Sequence, residues 1–436
     1  MLLALGYAMV VTFMILIMTK RMSALVALAL VPIVFGAIAA APADLGKMMI
    51  DGVTKLAPTG VMLTFGILYF SIMTDAGLFD PLVKRVVIFV KGDPLKLLVG
   101  TAIMGSAVAL DGDGATTYVI CTAALLPIYR RLGVKLQYMA IILLMSIGIM
   151  NIVPWGGPTA RAAAAMHVDV ADVFIPLIPA MLVGVAYQIG VAAWLGLRER
   201  RRLGVLTSPD DLKSILALVD GTPQSRRPKL MLVNLLLTLV LLFALIKGLL
   251  PLAVLFLVAT ALALMINYPK LKDQQERLAS HASNVLAVVS LIFAAGIFTG
   301  ILSGTGMLKA MSDGLLTIMP ARLGPYMAPA TALLSAPATY MLSNDAFYFG
   351  VLPILAETAS AYGITPAQMA RASLIGQPIH LLSPLVASTY LLVALLDINY
   401  GDNQKASIFW VFGLVLAMLA GSLAFGIIPL ISTVGH

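Results

Sequence analysis

Apolar runs close to the ~20 residues needed to cross a bilayer recur from end to end of this 436-residue chain. Short polar loops separate them, and few folds suit that spacing. Within lipid every backbone polar group must find its partner inside the protein, which leaves helices or a closed barrel. A barrel would show short alternating segments, and none occur. Only 11% of residues are charged, against roughly a quarter in soluble domains. The chain reads as an all-α polytopic membrane protein embedded in a lipid bilayer.

The net charge of +8 would suggest nucleic acid in a soluble protein. Here the basic residues cluster in short loops, where they set topology, so no nucleic-acid partner is expected. Lys20 and Arg21 place the loop after the first span in the cytoplasm, and the first span is read as retained rather than cleaved. A second span near 23–41 leads to an outer segment carrying Asp44, Lys47, Asp51 and Lys55. A third, near 59–76, returns to Lys84, Arg85, Lys91 and Lys96. Cys121 is the only cysteine, so no intramolecular disulfide forms.

Between Lys96 and Arg130 the stretch ALDGDGATTY (109–118) places two carboxylates in apolar surroundings. Each arm beside it is too short to cross, and both flanks are basic. The segment over about 97–129 is therefore read as a re-entrant hairpin that turns at Asp111, Gly112, Asp113 and Gly114. Irregular backbone at membrane depth survives only inside protein or facing a water-filled cavity, and intramembrane carboxylates are by default functional. Downstream, over about 136–165, NIVPWGGPT interrupts an apolar run. Pro154, Gly156, Gly157 and Pro158 break the helix, which frees carbonyls on one half and amides on the other. A polar linker over 198–229, opening with RERRR, separates a first half (1–197) from a second (230–436).

The second half repeats the first with a shift near 230. LGVKLQYMA (132–140) matches YGITPAQMA (362–370), Pro154 falls on Pro384, and LDGDG meets LSNDA (342–346) with small gaps. A second hairpin is expected over about 326–362, with its tip at Ser343, Asn344 and Asp345. A second broken helix is expected over about 367–396, interrupted at GQPIHLLSP (376–384). An odd number of crossings between the hairpins makes the repeats inverted, a transporter design that binds substrate at the midplane.

Asp111 and Asp113 suit a cation or a coupling proton, since two such carboxylates do not both ionise readily without one. Capping of the hairpin arms is the plainer role and is compatible with it. An EF-hand does not fit, because no glutamate follows at the required place. Ser343, Asn344 and Asp345 bring hydroxyl, amide and carboxylate to the other tip. Asn151 and Thr159 flank the first break, and Gln377, His380 and Ser383 surround the second; each suits substrate contact or helix packing. Arg161 either pairs a substrate carboxylate or snorkels outward. Arg161 and Arg371 are the only arginines expected in the core. His167, His281 and His436 are read as loop or terminal residues without a role.

With LDGDGATTYV, NIVPWGGPTARAA, LSNDAFYFGVLPIL and QPIHLLSPLVASTYL in this order, the whole chain resembles the citrate–metal–proton symporter family of bacterial secondary transporters. The resemblance implies import of citrate, or a related tricarboxylate, as a complex with a divalent cation of the Mg or Ca type, driven by protons. No permanently bound cofactor is implied. Asp111, Asp113 and Asp345 are the expected metal contacts, with the remaining tip and break residues completing the site. Relatives among the divalent-anion/sodium symporters imply a scaffold, a moving elevator-type transport part and a homodimer in the bacterial cytoplasmic membrane. Those relatives carry Ser-Asn-Thr at both tips, and the extra acids here favour protons or divalent metal over sodium. Alternatives are a sodium-coupled di/tricarboxylate symporter or another ion antiporter of the same superfamily. More remote is an intramembrane aspartyl protease using Asp113 and Asp345, whose Tyr-Asp and Gly-x-Gly-Asp motifs do not occur at these acids.

Overall fold

A computed structural model describes residues 1–90, 92–205 and 227–432. Lys91, most of the expected linker (206–226) and His436 lie outside them. All regular structure among the described residues is helical, without strands, and six helical stretches are long and apolar enough to cross a membrane.

The helices fall into two matching sets. The first comprises α1 (Leu2–Met18), α2 (Ala24–Ala39), α3 (Pro42–Asp75), α4 (Asp80–Val90), α5 (Pro94–Val108), α6 (Gly114–Leu132), α7 (Leu136–Met150), α8 (Gly157–Met166) and α9 (Val170–Leu203). The second comprises α10 (Met231–Ile246), α11 (Leu252–Asn267), α12 (Leu271–Gly304), α13 (Met307–Ile318) and α14 (Met327–Met341). It continues with α15 (Leu352–Ser360), α16 (Pro366–Leu374), α17 (Gln377–His380), α18 (Ala387–Leu396) and α19 (Tyr400–Ala424). Start for start, corresponding helices are offset by about 230 residues, as with Pro42 against Leu271 and Gly157 against Ala387. Single contacts repeat too. A Cβ on Gly105 would meet the Ser146 hydroxyl, and 230 positions later a Cβ on Gly376 would meet that of Ser335. Each half keeps one glycine opposite one serine at the same crossing, with the two residues exchanged.

Helices α3 and α12, 34 residues each, make the most extensive helix–helix contact in the molecule. At 1.5 Å per residue each is about 51 Å long, well beyond the ~30 Å hydrocarbon core. That length explains two departures from the spans expected from sequence. The polar stretch holding Asp44, Lys47, Asp51 and Lys55 is the first part of α3, not a loop, and α12 begins at Leu271 rather than near 284. Charged turns continue each helix past its apolar centre. Partners fall along α12 as positions rise along α3: Met48 with Gly304, Gly52 with Gly296, Gly60 with Phe293, Asp75 with His281. The two equivalent helices therefore run antiparallel. Gly52, Gly296 and Gly300 allow backbone against backbone at their crossing.

Outer faces of α1, α2 and α10 are apolar and exposed: Val11, Ile15, Val34, Ile38, Leu232, Leu236 and Phe243. Such a continuous face is expected against lipid tails rather than water. The buried core instead runs through α5, α7, α8 and α16, whose residues are mostly alanine, glycine and branched aliphatics.

Candidate functional site

The stretch Ala109–Gly114 turns between α5 and α6 through a left-handed Gly112 (φ +80°). A side chain there would be strained, and its Cβ would also sit 3.0 Å from Trp155 Cδ1. Asp111 Oδ1 accepts the Asp113 amide at 2.8 Å, closing the turn. Asp113 caps α6: its carboxylate accepts the amides of Ala115 (3.2 Å) and Thr116 (3.0 Å), and the Thr116 hydroxyl at 2.5 Å. Both acids nevertheless face a cavity of about 660 Å³. Capping and exposure to the cavity coexist.

Between α7 and α8 the chain leaves the helix for residues 151–156. Pro154 is buried in this break, and Gly156 turns so tightly that a Cβ would strike Asn151 and Val153 carbonyls. Thr159 is buried and returns its hydroxyl to the Ile152 carbonyl at 2.7 Å, tying α8 to the break. At the second break Thr389 does the same toward Leu381 O at 2.5 Å. Trp155 donates from Nε1 to Leu110 O at 2.7 Å and so fixes the first tip to the first break. Its indole stacks on Phe70 of α3 (centroids 4.4 Å, 22°) and meets Phe256 of α11 edge-on.

Arg161, one turn into α8, donates from Nε to Asp345 Oδ1 at 2.7 Å and from Nη1 to Gly157 O at 3.1 Å. A Cβ on Gly157 would lie 2.8 Å from that Nη1, so the glycine makes room for the guanidinium. This ion pair joins the first break to the second tip. Ser343 Oγ accepts the Ala346 amide at 3.2 Å, repeating the capping role of Asp113. After Asp345 the backbone widens into a π-helix over Ala346–Val351, a form often found at functional sites.

Asp111, Gly112, Asp113, Asn151, Gly157, Arg161 and Asn344 line the one cavity. Gly114 lies behind them, packed toward Ser388 and Ile147. Gln377 reaches the site indirectly, donating to Asn344 Oδ1 at 3.2 Å and to Tyr348 Oη at 2.6 Å. His380 and Ser383 do not line it. His380 Nδ1 donates to the Thr339 carbonyl at 2.6 Å, and Ser383 Oγ accepts the Leu385 amide at 3.2 Å. Both hold the second break in shape.

The three acids expected to contact metal are split. Asp345 is taken by Arg161, and among the described residues no three His, Cys, Asp or Glu side chains gather closely enough to hold a metal ion. Arg371, in α16, does not line this cavity; its guanidinium donates to the Asp172 and Ile427 carbonyls. His281 is also corrected. It sits within α12, faces the cavity, and bonds through Nε2 to Asp75 Oδ2 at 2.9 Å. Asp75, His281, Asn284, Thr116 and Trp155 are cavity residues that the sequence pattern did not single out. The one local hint was Trp155, a large aromatic inside a Pro/Gly break.

Comparison with known proteins gives a consistent picture. A family model described as citrate transporter matches residues 13–376. A citrate transporter of Bacillus subtilis is 54% identical over 98% of this chain and its own full length. A Mg(2+)/citrate complex secondary transporter of the same organism is 49% identical over 99% of this chain and all of its own. Among solved structures, the YdaH transporter of Alcanivorax borkumensis superposes with a TM-score of 0.64 at 15% identity, covering 88% of each chain. MtrF of Neisseria gonorrhoeae, described within a class of antimetabolite efflux pumps, gives 0.61 at 16% identity, covering 87% of this chain and 83% of its own. These two likenesses concern the fold.

Proposed function

The chain belongs to the citrate transporter family, and from that premise we propose that it imports citrate as a divalent metal complex, in symport with protons. The observation that carries this reading is the charge of the cavity. Asp111 and Asp113 face it from the tip, while its one lining arginine, Arg161, is already paired with Asp345. Citrate near neutral pH is close to a trianion, costly to desolvate without cations. Chelated to a divalent metal it is roughly a monoanion that presents a cation to the tip acids. Asp111, whose second carboxylate oxygen is not used by the turn, meets the metal. Asp113 adds charge beside it, and the side-chain amides of Asn151 and Asn344 suit citrate oxygens. The metal is cargo, and citrate supplies the ligands that the protein does not gather.

Two hairpins and two broken helices form the moving part in this reading, and α3 and α12 the scaffold. Antiparallel packing of these equivalent helices supports inverted repeats and alternating access about a midplane site. In this reading the membrane is the bacterial inner membrane, and Lys84, Arg85, Lys96, Arg198, Arg200, Lys270 and Lys272 support a cytoplasmic side at one end of the bundle. Asp75 and His281 lie near that end, so the cavity faces inward in this conformation.

The test is labelled-citrate uptake into proteoliposomes of purified protein under an inward proton gradient, with excess Mg2+, Ca2+ or a chelator. Uptake requiring both metal and proton gradient is the expected result. Uptake that ignores metal and follows sodium would replace this reading with sodium-coupled carboxylate symport.

A further inference from the structure

The inverted repeat supplies an internal control for one cluster outside the tips and breaks. At one end of the α3–α12 crossing, Asp75 Oδ2 accepts both His281 Nε2 (2.9 Å) and Arg277 Nη1 (3.1 Å). At the offset relating α3 to α12, Asp75 corresponds to Gly304, Arg277 to Met48 and His281 to Gly52. Gly304 and Met48 do meet, at the opposite end of the same crossing. The fold closes that end with a glycine and a methionine. The charged cluster is therefore not what holds the helices together, and its cost in apolar surroundings calls for another reason.

Position supplies one. Asp75 and His281 line the cavity that also exposes Asp111 and Asp113, while Arg277 stands behind Asp75, over the Tyr268 ring (6.0 Å) and bonded to Glu276 (3.0 Å). Other charges facing the same space are Arg161 on α8 and, across the cavity, the two tip acids. Arg227 lies over the far side, 4.8 Å from the Tyr268 ring, with its amide bonded to Ala76 O. Arg277 and His281 donate to the same Asp75 oxygen, so this carboxylate holds two basic side chains at once. His281 is the basic side chain of this cluster that lines the cavity, and an imidazole held through one ring nitrogen keeps the other to accept a proton.

We propose that His281, held by Asp75 and Arg277, is the stationary proton acceptor of the inward-facing state. This rests on the proton-symport reading above. The moving tip brings the coupled proton into the cavity together with the cargo. Cavity water passes it to the imidazole, which becomes imidazolium against the Asp75 carboxylate. The imidazolium then gives the proton to cytoplasmic water and returns neutral, ready for the next cycle. Proton release thereby depends on a scaffold residue distinct from the cargo site.

Exchange of metal–citrate across the membrane needs no proton release, whereas net uptake does, and the two separate the possibilities. In proteoliposomes, His281→Gln is expected to keep metal–citrate exchange within about twofold of wild type while gradient-driven net uptake falls at least tenfold. Retained exchange also reports a folded protein. Equal loss of both would mark a structural role, and retention of both would remove His281 from coupling; either overturns the proposal. As a second variant, Asp75→Asn weakens the imidazolium. It is expected to move the internal pH for half-maximal net uptake downward, and an unmoved profile contradicts the assignment. Absence of citrate exchange in the wild type would instead defeat the transport reading itself.

Discussion

The two hairpin tips do the same backbone task with different chemistry. At the first, Asp113 caps the following helix and Asp111 closes the turn, and both carboxylates still face open volume. At the second, a neutral Ser343 caps the following segment, and the one carboxylate, Asp345, is bound to Arg161 of the opposite half. A repeat thus keeps the turn and divides the charge. One tip leaves its acids facing the cavity; the other holds its acid against an arginine and, through it, the first break.

That contrast ranks the effects of substitution. Asp111→Asn keeps the acceptor for the Asp113 amide but removes the charge at the cavity, so the turn survives and the cargo contact does not. A lost charged contact of about 3 kcal/mol corresponds to a roughly 100-fold fall in metal–citrate uptake, read from initial rates. Asp345→Asn acts differently, because it orphans a mostly buried guanidinium (13% exposed). Uptake should fall about tenfold, accompanied by a drop in thermal midpoint. The double variant Arg161→Gln/Asp345→Asn should recover part of the midpoint, since breaking a buried pair costs more than removing it. Were Asp345→Asn to leave the midpoint unchanged while abolishing metal dependence, the division of labour between the tips would be reversed.

Smaller effects come from the turn and the breaks. Gly112→Ala forces a Cβ into a left-handed residue beside Trp155 and should cost about 1–2 kcal/mol, seen as a lower midpoint with metal dependence intact. The smallest pair tests the repeat itself. Thr159→Ala and Thr389→Ala each delete a hydroxyl that returns to its own break, and each should cost about 1 kcal/mol. Strongly unequal costs would show that the two breaks are not equivalent supports.

What the sequence made legible follows from its physics. LDGDG stood out because carboxylates are expensive among apolar neighbours, and NIVPWGGPT because proline and two glycines cannot continue a helix. The repeat was visible through its constant offset in matching strings. By contrast, the first turns of α3 and the start of α12 carry charge, so hydropathy marks them as loop although their backbones are helical. Asp75 and His281 are 206 positions apart and meet only because α3 and α12 run antiparallel. Neither residue has a local pattern announcing the other. Arg161 is visible in the sequence beside its break, but its partner across the repeat is fixed by packing alone.

The most direct test is double-label uptake: radiolabelled citrate and a radiolabelled divalent metal such as Ca2+, followed together into the same proteoliposomes. Entry of metal and citrate in equal amounts, with both lost in Asp111→Asn, is the result expected from cargo carried as a complex onto the first tip. Citrate entering without metal, or metal dependence surviving in Asp111→Asn, would contradict it.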